Sequence, residues 1–408
     1  MVDWLGETAS EDPGREFLVT RSDTVSYAQM VDLVEARRRS LGDRTGTQVV
    51  VQPRLDVDSV VELLAVSATG ATMVVAGPDR PDAADLATLA ASEVRPSHTI
   101  LFTSGSSGSP KGVRLSEANW EAAASASATH LGHGPGDRWL CVLPLQHVGG
   151  LSIIYRSLLA GGAVVMENDP GKVGAWLGQV SWASLVPTQL FRILQRRSDS
   201  YQSSLKVLLG GGPVDPGLAR AGADAGLSIF PTYGMTETTS QVATALDPGG
   251  PLRALPGIDL SIDQERIRVT GPTVMLGYVG EPEVQGTFRT SDLGHIDDDG
   301  SLQVYGRSDR VIISGGENVD PGAAERLIAS HPDVVEVAVI GVPDAHWGER
   351  VVAIYVGSAP EAALRTLAET LPSFARPKQW LRLHALPRTE LGKIDQTRLL
   401  NSVTDDRP

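Results

Sequence analysis

From Gln48 to Leu209 short apolar segments alternate with helical patterns, and few folds accept that order. Gln48–Gln52, Ala71–Ala76, Ala163–Met166 and Lys206–Leu209 read as strands; Val57–Thr69, Glu117–Thr129 and Leu151–Leu159 read as helices. The strand candidates are apolar on both faces, so they belong inside sheets that helices cover, with largely parallel strands: an α/β fold. From Pro256 to Tyr305 the texture becomes short β segments between Gly, Pro and Asp turns, with Asp297-Asp298-Asp299-Gly300 as a hairpin turn. Beyond Gly306 a second unit is expected. Pro321–Ser330 and Glu361–Thr370 read as helices there, and Val335–Ile340 and Val351–Val356 as strands. The expected organisation is a large α/β domain with a β-rich subdomain over 1–306, a charged junction at 307–310 and a small α+β domain over 311–408.

The 408 residues exceed one ordinary domain, and the formal charge of −14 argues against a nucleic-acid partner. Cys141 is the sole cysteine, so no intrachain disulfide is expected and a reducing compartment fits. It sits in the apolar run Trp139–Leu145, which reads as a buried strand, and an inert core thiol is the expectation. The start of the chain lacks a basic region followed by an apolar core, and no apolar stretch approaches the ~18–20 residues of a membrane span. A soluble, cytoplasmic protein is the expectation. Lysine is scarce: Lys111, Lys172, Lys206, Lys378 and Lys393 are the only ones, so each is worth inspecting.

Residues Thr103 to Gly112 read TSGSSGSPKG, directly after the strand signal Thr99–Phe102. Gly105 and Gly108 let a backbone curl so that several N–H groups converge, a nest for phosphate oxygens. Thr103, Ser104, Ser106, Ser107 and Ser109 add hydroxyl donors, and Lys111 adds a mobile point charge. The spacing differs from the Walker pattern, because Pro110 and Gly112 flank the lysine and keep the segment a loop. A flexible linker is the competing reading, and it accounts for neither the Pro-Lys-Gly ending nor the strand in front.

Further groups fit phosphate chemistry. In TYGMTE (Thr232 to Glu237) Thr236 can donate to a phosphate oxygen, Glu237 can hold Mg²⁺, and Tyr233 offers a flat face for an adenine. A plain turn after the strand Leu227–Phe230 is the alternative. Asp292 could accept both ribose hydroxyls or merely cap a turn. Arg307 could reach ribose or phosphate and Asp309 could be a backbone pivot, or the two could form a solvated pair worth under ~1 kcal/mol. Lys393, in LGKID, is either one more solvated lysine or a reactive one.

Taken in order, TSGSSGSPKG, TYGMTE, SDLG with YGRSDR, and LGKID resemble the acyl-adenylate-forming superfamily, from about Thr99 to Asp395. Val334 to Val352, with its Gly-Val-Pro-Asp and Gly-Glu, is similar to that family's small mobile C-terminal domain. The resemblance implies two half-reactions: a carboxylate attacks the α-phosphate of Mg·ATP, and a thiol, usually of coenzyme A, then displaces AMP. It implies that Thr103, Ser104, Gly105, Ser106, Ser107, Gly108 and Lys111 cradle phosphates and that Tyr233, Gly234 and Thr236 contact the nucleotide. Glu237 carries Mg²⁺, Asp292 and Arg307 hold the ribose, and Lys393 bridges carboxylate and α-phosphate. It further implies a rotation of the small domain about Asp309 that brings Gly315, Gly316 and Glu317 to the thiol channel.

LPLQHVGGL, LVPTQL, LLGGG and YGMTETTSQ are most similar to the o-succinylbenzoate–CoA ligases of menaquinone synthesis. Arg156 interrupts an apolar helix, where a buried guanidinium needs an anionic partner, and the second carboxylate of that substrate would supply one. An arginine with its head at the surface is the alternative. His147, Thr188, Gln189, Gly211 and Ser240 are further acyl-pocket candidates. Departures from the family pattern are Gln146 in place of an aromatic residue, Asp320 in place of a tyrosine and Ser291 in place of a glycine. The segment before Thr99 is shorter than in most relatives, so a trimmed N-terminal subdomain is expected. Competing functions are another aryl or acyl acid–CoA ligase, a carrier-loading adenylation enzyme, and a non-catalytic nucleotide-binding relative.

Overall fold

The computed structural model describes residues 2–77, 98–103, 111–169, 172–195, 205–212, 214, 216–388 and 394–404. Two compact units emerge. One comprises Met1–Ser261, Arg268–Phe288 and Asp297–Leu302; the other comprises Ile262–Ile267, Arg289–Ile296 and Gln303–Pro408.

The first unit carries two sheets. One runs, neighbour by neighbour, through Leu252–Ala254, Ser240–Ala245, Ser228–Met235, Lys206–Leu209, Trp182–Leu185, Arg138–Cys141, Ala163–Met166, Glu16–Val19 and Thr24–Ser26. Its middle is parallel, with Lys206–Leu209 in register with both Trp182–Leu185 and Ser228–Phe230. The other runs through Gly277–Tyr278, Lys111–Leu115, Thr99–Thr103, Thr72–Val75 and Gln48–Val51. Its last three strands are parallel, and the middle one, Thr72–Val75, is buried throughout.

The helices Glu117–Leu131 and Val148–Ala160 fill the core beside these sheets. Ser116 starts the first with a capping box to Asn119, whose buried amide also donates to the carbonyls of Pro272 and Val274. Trp120, Trp139, Trp182 and Tyr155 are fully buried, with Trp139 and Trp182 stacked at 4.9 Å. Cys141 is buried in this core; desolvation pushes its thiol up to about 12, which leaves it inert. The strand there stops at Cys141, earlier than the apolar run to Leu145 implied, because its ladders with Ala163–Met166 and Trp182–Leu185 run no further than Met166 and Ser184.

In the second unit Val334–Asp344 and Gly348–Gly357 form a long antiparallel pair, longer than the sequence suggested because the pairing continues through Pro343 to the turn at Gly348. Gln379–Arg382 adds in parallel, and Pro321–Ala329 and Glu361–Ala368 cover one face. A two-residue turn, Gly315-Gly316, joins the strands Ile312–Ser314 and Glu317–Val319; both glycines have positive φ (63° and 85°), as the tightest hairpins demand.

Candidate active site

The strand ending at Thr103 and the strand beginning at Lys111 pair antiparallel, with Thr103 opposite Lys111. The pairing brings the two ends of the glycine-rich segment together. Ser104, Gly105, Ser106, Ser107, Gly108 and Ser109 lie outside the described residues. Lys111 is exposed. Its Nζ lies 3.3 Å from Oε1 of Glu281 and 4.7 Å from the ring centre of Tyr278. On the outer side of the lysine strand, Gly277–Tyr278 adds a short antiparallel rung, with Tyr278 opposite Val113.

The first four residues of TYGMTE continue a strand, and Thr236 and Glu237 form the turn after it. Ser228–Met235 runs on past Phe230 because Thr232–Met235 pairs with the returning strand Ser240–Thr244. Gly234 makes this possible, since a Cβ there would overlap the carbonyl oxygen of Ser240. Thr236–Thr238 then forms one 3-10 turn, followed by Thr239 (φ 52°) and Ser240 (φ 88°) in the left-handed region. Such backbone is costly for a β-branched residue and concentrates at functional sites. Thr239 is fully buried and donates to the Thr273 carbonyl at 2.7 Å. Glu237 is fixed twice: its carbonyl accepts from Met275 N–H at 2.9 Å, and its Oε1 accepts from the Tyr278 hydroxyl at 2.9 Å.

A hard cation fits Glu237 by donor chemistry. Among the described residues no group of three or more His, Cys, Asp or Glu side chains could hold a metal. One carboxylate that leaves the rest of the shell to phosphate oxygens and water suits Mg²⁺, which is reluctant to shed its waters.

On the acyl side, Arg156 is 3% exposed, which excludes the surface-headed alternative. Its Nε donates to the Ser152 carbonyl at 3.1 Å and its Nη2 to the Ser152 hydroxyl at 2.9 Å, while Nη1 is buried without a hydrogen-bond partner. Burial pulls the guanidinium down to about 9, still well above neutrality, so it stays charged. Arg156 lines a cavity of about 10 Å³ with Ser152, Tyr155, Thr239, Ser240 and Gln241, room for roughly one water. The Ser240 hydroxyl lies 3.3 Å from that of Ser152, so Ser240 and Arg156 share this cavity. His147 sits outside it, at the N-cap position of Val148–Ala160. Thr188 and Gln189 open another helix, where the Gln189 side chain accepts from Val186 N–H at 3.0 Å; Gly211 (φ 78°) approaches the same Val186. Gln146, whose type departs from the family resemblance, packs on Gly77.

In the second unit Arg307 grips Asp309 with two bonds, Nε–Oδ1 2.8 Å and Nη2–Oδ2 2.6 Å, and reaches Asp292 Oδ1 with Nη1 at 3.1 Å. Asp292 is buried, and a fork shared between two carboxylates is more than a solvated pair. Burial would raise the Asp309 carboxyl, and the Arg307 guanidinium more than offsets it, holding it below the usual range. Gly315 lies against the ring of Trp347, and Glu317 is exposed beside it on the hairpin. Asp320 caps the helix Pro321–Ala329 by accepting from Gly322 N–H at 2.9 Å. Lys393 lies outside the described residues.

Residues 97–287 match the family of AMP-binding enzymes, and 323–393 match the AMP-binding enzyme C-terminal domain. A 2-succinylbenzoate–CoA ligase of Listeria monocytogenes is 36% identical over 363 residues, 84% of this chain and 77% of that protein. The chain belongs to the AMP-binding enzyme family. A second relative of this AMP-binding enzyme, the 2-succinylbenzoate–CoA ligase of Bacillus licheniformis, is 38% identical over 332 residues, 74% of this chain and 69% of that protein. Among solved structures, o-succinylbenzoate CoA synthetase from Bacillus subtilis in complex with the acyl-adenylate intermediate OSB-AMP has a TM-score of 0.85 at 26% identity, covering 99% of this chain and 98% of that one. ATP-bound MatB from Rhodopseudomonas palustris reaches 0.85 at 27% identity, covering 98% and 99%.

The enzyme's sequence-derived candidates thus fall into one cluster around Lys111 and Glu237 (Thr103, Lys111, Thr236, Glu237), a second around the Arg156 cavity (Arg156, Ser240) and a third in the second unit (Asp292, Arg307, Asp309). Tyr278 and Glu281, which touch Lys111 and, through Tyr278, Glu237, escaped the sequence reading. Their signal was the short Gly277-Tyr278 β segment, too brief to separate from a turn.

Proposed function

We propose that this enzyme ligates o-succinylbenzoate to coenzyme A through an acyl-adenylate, with ATP and Mg²⁺, as a step of menaquinone synthesis in the cytoplasm. The observation that carries the reading is the 36% identity over 84% of the chain to a protein named 2-succinylbenzoate–CoA ligase. Among the described residues no helix is long and apolar enough to cross a membrane.

In this reading a substrate carboxylate oxygen attacks the α-phosphorus and pyrophosphate leaves; the thiol sulfur then attacks the acyl carbon and AMP leaves. Lys111 and the loop that precedes it neutralise the departing phosphates, Thr236 donates to phosphate, and Glu237 carries Mg²⁺. When bound, Mg²⁺ withdraws charge from the phosphate oxygens. Asp292 accepts the ribose hydroxyls beside Arg307, and Tyr233 and Gly234 form the adenine wall. Lys393 bridges carboxylate and α-phosphate in the first step, and a turn about Asp309 brings Gly315, Gly316 and Glu317 to the thiol in the second. Arg156 meets the second carboxylate of o-succinylbenzoate, directly or through one water in the adjoining cavity, with Ser240 beside it. His147, Thr188, Gln189 and Gly211 complete the pocket.

Pyrophosphate release from Mg·ATP with o-succinylbenzoate, benzoate or a medium-chain fatty acid, with and without coenzyme A, tests this. Turnover with o-succinylbenzoate that goes to completion on adding coenzyme A is expected. Turnover with a different acid alone would keep the mechanism and discard the substrate.

A further inference from the structure

Lys111 and Glu237 are the two opposite charges that serve the phosphate site. A bare lysine and glutamate that share a small site tend to pair and cancel. Here each has another partner: Lys111 pairs with Glu281 at 3.3 Å, and Glu237 accepts from the Tyr278 hydroxyl at 2.9 Å. Tyr278 touches both, because the lysine Nζ stands 4.7 Å above its ring centre. Its backbone is pinned on either side, with Leu276 N–H donating to the Arg114 carbonyl at 2.9 Å and Val279 N–H to the Gly112 carbonyl at 2.8 Å. Gly277 (φ 139°) permits that approach, since a Cβ there would lie 2.8 Å from the Pro282 carbonyl oxygen.

We propose that Tyr278 is a positioning residue for the adenylation step: its ring holds Lys111 and its hydroxyl holds Glu237, so the two charges stay apart and stay aimed at the nucleotide. The inference rests on the reading of Glu237 as the Mg²⁺ carboxylate. The phenol donates to one carboxylate oxygen, which fixes the carboxylate and orients the other oxygen for a cation. The ring face adds a second contact to Lys111 beside its exposed bond to Glu281, and so limits where the ammonium can stand.

The test uses the full-length enzyme and titrates ATP calorimetrically at a series of Mg²⁺ concentrations with no acid present. Glu237→Gln, Tyr278→Phe and Tyr278→Leu are compared with the parent, thermal unfolding showing that each variant folds. In Tyr278→Phe the Mg²⁺ concentration for half-maximal ATP binding should rise roughly tenfold, the weight of a hydrogen bond to a charged group. ATP affinity at saturating Mg²⁺ should change little. Tyr278→Leu should in addition weaken ATP at saturating Mg²⁺ by roughly threefold, through loss of the ring beneath Lys111. An unchanged Mg²⁺ midpoint in Tyr278→Phe, with a shifted one in Glu237→Gln, overturns the proposal and leaves the Glu237 reading intact. An unchanged midpoint in Glu237→Gln overturns both.

Discussion

The guanidinium of Arg156 lies 4.7 Å from the ring centre of Trp139, which is itself stacked on Trp182. Among the described residues no carboxylate pairs with it. A buried cation stabilised by a ring, one serine and one main-chain carbonyl retains one unsatisfied nitrogen, and its charge is then available to a ligand.

Arg156→Met keeps much of the side-chain volume and removes that charge. Because no acid partner is orphaned, the fold should survive. The KM for o-succinylbenzoate should rise between about tenfold and a hundredfold, the range for a charged hydrogen bond, while the KM for ATP stays put. Steady-state kinetics with each substrate varied in turn checks this, and an unchanged o-succinylbenzoate KM would remove Arg156 from the pocket.

Lys393→Ala should separate the half-reactions. Adenylate formation, followed by pyrophosphate release, should fall about 10²–10³-fold, the scale of losing one charge stabiliser of the in-line centre. Thioester formation from supplied acyl-adenylate should persist. An equal loss in both steps would contradict the assigned role.

Acid should weaken the first unit through its buried histidines. His98 is held between the hydroxyls of Ser67 and Thr99, each at 2.7 Å, and His133 packs edge-on against Trp139. Desolvation pulls both down to about 4. Their unfolded forms bind protons from about pH 6.5, so the neutral-state stability is complete above that pH and is lost progressively as pH falls toward 4. The loss is on the order of 3 kcal/mol for each histidine. Urea unfolding at pH 7 and pH 5 reads it, and His98→Gln should flatten the dependence; a variant with the parent's pH slope would rule His98 out.

Gly234→Ala should be severe and Gly178→Ala mild. A methyl at Gly234 runs into the Ser240 main chain, whereas Gly178 has open space around it. Backbone displacement at Gly234 should cost several kcal/mol, against under ~0.5 kcal/mol for the surface change. Comparing unfolding midpoints decides it; near-equal midpoints would mean that the tight strand pairing at Ser240 yields without penalty.

Periodicity and composition exposed the α/β alternation because strands such as Lys206–Leu209 and Ala163–Met166 are buried on both faces and bounded by clear breakers. They could not show that Thr232–Met235 continues a strand, since that depends on pairing with Ser240–Thr244 and on one glycine with no room for a Cβ. The left-handed Thr239 and Ser240 were invisible for a related reason: neither residue type advertises positive φ. The N-cap role of Asp320 was likewise hidden, since it depends on where the helix after it begins. Tyr278 was missed because a two-residue strand leaves no period to read.

The three-cornered contact of Arg307 with Asp292 and Asp309 has a practical consequence for anyone dissecting the second half-reaction. Asp309→Ala would release two of the arginine's donors directly beside Asp292, so a change meant to disturb only a swivel would also rewire the neighbouring carboxylate. Loss of thioester formation in that variant would carry two causes at once. Asp309→Asn, which keeps an acceptor for Arg307 while shedding the charge, separates torsional freedom from charge balance.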